Sequence, residues 1–165
     1  MAGPPGQPDR DGLAGPPGQP DRGGLAGPPG HIVSRALGVT ERPRDALGRP
    51  LPWGEAGYPG VDQRDLINTR DAVAEARDYL ARGLPFHAHE VLEMRWRCCP
   101  PVERPLWRGL AQAAAGHTHA ARGNGIGAER LVERGRSSIE EYAGPLDDAT
   151  RELIDLVTTL DMSSD

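Results

Sequence analysis

No lysine occurs in the 165 residues; all nineteen basic side chains are arginine. With 22 glycines and 17 prolines, that absence reads as the coding bias of a GC-rich genome rather than as chemistry. Excess positive charge is missing too. Residues 1–60 hold six Arg and six acids, so the whole net charge of −5 belongs to residues 61–165, with 13 Arg against 18 acids. Nonspecific nucleic-acid affinity comes from neutralised phosphates, so nucleic acid is not an expected partner. Cysteine is limited to an adjacent pair, Cys98 and Cys99. Neighbouring Cα atoms lie about 3.8 Å apart, short of the usual disulfide span, and no further Cys completes a thiolate metal quartet. Two reduced thiols in a reducing cytosol are expected. No apolar run approaches the ~18 residues of a membrane helix, and no charged-then-apolar leader opens the chain. A soluble cytoplasmic protein with no membrane partner is the expectation.

What is present begins with repetition. "AGPPGQPDRDGL" (2–13), "AGPPGQPDRGGL" (14–25) and "AGPPGHIVSRAL" (26–37) share a period of twelve. Every third residue from Gly3 to Gly30 is glycine except Asp9 and Asp21. Each Asp falls where only Gly fits the axis of a collagen triple helix. With 17 of the first 30 residues Gly or Pro, residues 1–37 are expected to be a disordered tract that buries no core. Residues 38–61 remain Gly- and Pro-rich but carry Leu47, Leu51, Trp53 and Tyr58. They read as an extended arm that packs on the domain through those side chains.

From residue 62 to 165 the pattern is helical. A first helix over about 69–82 gathers Ala72, Val73, Ala76, Tyr79 and Leu80 on one face, and Gly83 stops it. Pro85 opens a second, about 85–97, which ends at "CCPP". A third, about 102–122, stops at Gly123. A fourth, about 125–143, follows Asn124 and carries a stripe of Ala128, Leu131, Val132, Gly135, Ile139 and Tyr142. A fifth, about 147–160, starts at an Asp147/Asp148 cap and offers Leu153, Ile154, Leu156, Val157 and Leu160 to the core. No segment alternates as a strand. The fold class is therefore all-α, a compact antiparallel bundle of about five helices built from αα-hairpins. Within the third helix Gly109, Ala113, Gly116 and Ala120 form a flat ridge that lets another helix backbone approach closely.

The stretch "FHAHEVLEMRW" (86–96) holds the candidate chemistry. At 100° per residue His89, Leu92, Glu93 and Trp96 share one side of the second helix, while His87 points away with Val91 and Met94. Glu90 lies further round, towards Arg97. Trp96 is expected to anchor the core, which places His89 and Glu93 on a buried face. Gln112 and His119 share one line on the third helix. Buried imidazole and carboxylate need partners, and the nearest are each other across the hairpin. Three readings follow. A divalent metal held by His89, Glu93 and His119 has ligand types suited to zinc, iron or manganese. An acid–base pair, with a carboxylate such as Glu93 or Glu90 tuning His119 or His89, needs two of these residues. A satisfied hydrogen-bond network that fixes helix register is the third.

"PFHAHEVLEMRWR" and "WRGLAQAAAGHTHAARGNGIGA" together resemble the bacterial family called domain of unknown function 309. The resemblance rests on His89, Glu90, Glu93, Trp96, Gln112, His119, Gly123, Asn124, Gly127 and Ala128 and spans roughly residues 69–143. His87 departs from it, since the family often has an acid there. "RPRDALGRPLP" resembles the arm of actinobacterial members. The resemblance implies a small all-helical protein and no established activity. Two functional expectations stand beside it. One is a module binding a small molecule or a protein, with a His/Glu network between the second and third helices and with Trp96, Gln112 and Asn124 lining its pocket. The other is a metal-dependent hydrolase or related enzyme using His89, Glu93 and His119. Homo-oligomerisation is compatible with either.

Overall fold

The computed structural model describes residues 41–160; the twelve-residue repeats and their expected disorder lie outside the described residues. Local signals place the helix ends. Asn68 caps α1 (Thr69–Ala81) by accepting from the Asp71 N–H at 2.9 Å. Gly83, at φ +70°, turns the chain into α2 (Pro85–Cys98), whose first residue needs no N–H donor. The third helix begins later than its periodicity suggests. Pro101–Glu103 forms a separate 3-10 turn, and α3 runs Arg104–Ala121, with Pro105 in its first turn. Asn124 caps α4 (Gly125–Glu140) through the Gly127 N–H, and Asp147 caps α5 (Asp148–Thr158) through the Thr150 N–H at 2.7 Å. Five α-helices and no strand occur among the described residues, so the class is all-α. No helix among them is long and apolar enough to cross a membrane.

Short turns make successive helices antiparallel neighbours. α2 packs against both α1 and α3, and α3 also meets α4 and α5. This central place explains the wide buried face of α2, on which Ala88, Val91, Leu92 and Met94 are all covered, while Glu90, Glu93 and Arg97 lie on the other side. The side expected to be buried holds the covered Leu92, but its His89, Glu93 and Trp96 are only half-buried. His87, on the side of Val91 and Met94, is itself buried. Nor is Trp96 the core anchor. It packs half-buried against the margin, while Trp107 of α3 is fully enclosed among Leu92, Leu110, Leu153 and Val157 of the same core. On α5 Leu153 and Val157 turn inward, but Leu156 is 46% exposed, against its expected burial.

The small ridge of α3 is taken by α4. A Cβ on Gly109 would stand 2.5 Å from the Gly135 carbonyl oxygen, and one on Gly116 would stand 2.7 Å from Val132 Cγ2. Gly135 answers Gly109 from the facing helix, so the two backbones touch where neither bears a side chain. Residues 41–61 hold no helix; within them one antiparallel bridge pairs Arg44 with Pro50 across a turn, and the Leu47 and Pro59 carbonyls are held by Arg122 and His87 of the bundle. Leu47 and Leu51 are half-buried, whereas Trp53 is 66% exposed. The deep anchors of this end are instead Val61 and Ile67.

Candidate functional site

His89 stands between two helices. Its Nδ1 is 2.9 Å from the Ala111 carbonyl of α3, and since a carbonyl only accepts, Nδ1 carries a proton. Its Nε2 lies 3.3 Å from Glu93 Oε2, one turn along α2. Glu93 turns its other oxygen to Arg97 at 3.5 Å. His89 and Glu93 thus meet as their spacing predicts, in a half-exposed position at the rim of the α2–α3 contact.

His119 belongs to another structure. Its Nδ1 accepts from Asn124 Nδ2 at 3.0 Å, and Asn124 Oδ1 accepts from the Gly127 N–H at 2.9 Å. A Cβ on Gly127 would fall 2.8 Å from His119 Nδ1 and 2.5 Å from Asn124 Nδ2, so only glycine leaves room for this contact. Gly123, at φ +81°, makes the left-handed turn between the helices. His119, Gly123, Asn124 and Gly127 are therefore one device: they lock the α3–α4 turn and cap α4 at the same time. Among the described residues no donor reaches the buried side-chain oxygen of Gln112. Among the described residues no three His, Cys, Asp or Glu side chains are grouped so as to hold a metal ion.

Glu90 is half-buried on α2, and burial pushes its carboxyl above the usual range; Glu41 on the arm and Glu93 add to the rise, while Arg44 and Arg97 oppose it. A folded-state value raised above the unfolded one means a contribution to stability that is full in acid and is lost as pH rises through the folded value. Glu90→Gln should therefore raise the melting temperature at pH 7–8, with the gain shrinking towards zero in acid. Melting followed by circular dichroism across that range checks it, and a destabilised variant at neutral pH would show that the carboxylate makes a needed contact.

Some residues near the site carry signals that helical angles do not reveal. His87 donates from Nε2 to the Pro59 carbonyl at 2.9 Å, amid the rings of Tyr58, Tyr79 and Phe86. Arg95 and Trp107 converge on one oxygen of Glu103, each at 2.8 Å. The i, i+4 spacing of Glu103 and Trp107 was the available sign of that contact. Ser138 accepts from Arg108 Nε at 3.1 Å and donates to the Pro105 carbonyl at 2.9 Å, tying α4 to the start of α3.

A family model described as a domain of unknown function (DUF309) matches residues 73–131, which hold both the His89–Glu93 pair and the His119–Asn124–Gly127 turn. No curated protein and no solved structure matches the chain.

Proposed function

We propose that this chain, whose residues 73–131 match the model of a domain of unknown function (DUF309), is a protein-binding helical module in which the His/Glu pair fixes the register of α2 on α3. One observation carries the reading: both ring nitrogens of His89 face partners within the chain, Ala111 O and Glu93, and Glu93 is shared with Arg97. A pair so engaged serves the helix contact and has no ring nitrogen left over for a metal. The alternative is a metal-dependent hydrolase acting through His89, Glu93 and His119, with Glu90 as a further acid–base candidate. His119 is directed to Asn124 instead, which speaks against that alternative.

Metal analysis and two substitutions separate the readings. Protein purified without an affinity tag should contain no stoichiometric zinc, iron or manganese, and adding these ions should leave the melting temperature in place. Glu93→Gln should be mild, because the amide keeps shape and can still bond His89. Glu93→Leu should cost more, on the order of 1 kcal/mol, because it removes the carboxylate that faces the half-exposed His89 Nε2. Near-stoichiometric metal lost on Glu93→Gln would establish the enzyme reading in place of this one.

A further inference from the structure

The arm is seated on the bundle in an unusual way. Gly48 lies over the Phe86 ring so closely that a Cβ there would overlap the ring carbons, and its φ of +74° also favours glycine. Arg122, just past the end of α3, donates from Nε at 3.0 Å and from Nη2 to the Leu47 carbonyl. The Arg44 guanidinium stands 5.9 Å from the Phe86 ring centre and donates to the Gly48 carbonyl at 2.9 Å. His87 holds the Pro59 carbonyl further along.

Two properties distinguish this from ordinary loop packing. First, Arg122 and His87 bond main-chain carbonyls, so they read the shape of the segment and not its side chains. Second, the turn builds itself. Asp45 Oδ1 accepts from the Leu47 and Arg49 N–H groups at 2.9 and 2.8 Å. The Asp45 N–H reaches the Arg49 carbonyl, the Gly48 N–H the Asp45 carbonyl, and the Leu51 N–H the Pro43 carbonyl. A segment already folded loses little freedom on docking. The stretch that follows it, residues 52–60, is exposed throughout, so the arm is held by few deep anchors.

We propose that residues 43–51 occupy, in cis, a peptide-recognition surface made by Phe86 at the start of α2 and Arg122 at the end of α3. The partner that fits it is a turn of the same chemistry: an Asp followed three positions later by a left-handed glycine, with the carbonyl before that glycine turned outward. This rests on the binding-module reading and names the class of partner. The tethered arm acts as a competitor that an incoming turn displaces.

The test uses the full chain. Gly48→Val should undock the arm and leave helical circular dichroism unchanged. Arg42 and Arg49 each precede proline, so the arm's tryptic site between Arg44 and Asp45 reports undocking, and its cleavage should accelerate. A fluorescein-labelled peptide of residues 41–61 should then bind the Gly48→Val chain. It should bind the unaltered chain at least about tenfold more weakly, because a tethered competitor acts at millimolar effective concentration. Adding Arg122→Ala to Gly48→Val should abolish peptide binding. Unchanged cleavage, no peptide binding, equal binding to both chains, or binding indifferent to Arg122 would each overturn the proposal. Failure here with a metal-free Glu93 pair leaves the module reading in place; metal at Glu93 removes that reading whatever the peptide does.

Discussion

Trp107→Ala should cost about 3–5 kcal/mol in urea unfolding, a large share of a small domain's stability. The ring is fully enclosed in the core, so truncation leaves a cavity that the surrounding helices cannot close without shifting. The indole also holds a polar group in place. Its Nε1–H and Arg95 Nη2 both donate to Glu103 Oε2 at 2.8 Å, and the Arg95 guanidinium lies 5.3 Å from the ring centre. Arg95 reaches on to the Ile67 carbonyl at 3.3 Å, which ties in the segment before α1. Loss of the indole therefore loosens three parts of the chain together. Trp107→Phe keeps much of the apolar volume and loses the donor, so its cost should be smaller. Trp96→Ala should also cost less than Trp107→Ala, because Trp96 is only half-buried at the core margin. A larger loss at Trp96 than at Trp107 would overturn this assignment of the core.

The contrast between the two tryptophans shows what is legible in this sequence. Helix number and most helix ends could be read because they depend on local chemistry: Gly83, Pro85, Gly123, Asn124 and Asp147 act within one turn of themselves. Which aromatic takes the centre depends on which faces α1 and α5 cover, and helical angles on α2 alone do not contain that. The pair His89–Glu93 was legible from its i, i+4 spacing. Its second partner was not, because the Ala111 carbonyl leaves no mark on side-chain patterns. The seven-residue spacing of His119 with Gln112 points it to the α2 side. The nearer sign was Asn124, five residues on, at the start of the next helix. The ridge of small residues on α3 could be recognised as a close-approach surface, but its partner had to be chosen. Gly135, the complementary gap on α4, was the residue that identified it.

That same contact carries the sharpest test of how α3 and α4 are held. In an exposed helix interior, glycine to alanine stabilises by about 1 kcal/mol through propensity. At Gly135 the sign should reverse. A Cβ there would lie 2.6 Å from the Gly109 carbonyl oxygen and 3.0 Å from the Ala113 nitrogen, and at Gly109 it would meet the Gly135 carbonyl at 2.5 Å. These obstacles are backbone atoms inside helices, so no rotamer change relieves the overlap and the helices must move apart. Separation would pull Val132 and Ala128 away from Gly116 along the same ridge and strain the His119–Asn124–Gly127 turn beyond it. Overpacking of this kind typically costs about 1–3 kcal/mol for added methyl groups, so Gly135→Ala should fall in that range and Gly135→Val at its top or above. Urea unfolding measures both. A Gly135→Ala chain as stable as the unaltered one would mean that α3 and α4 do not meet backbone to backbone, and the packing described for this pair would be wrong.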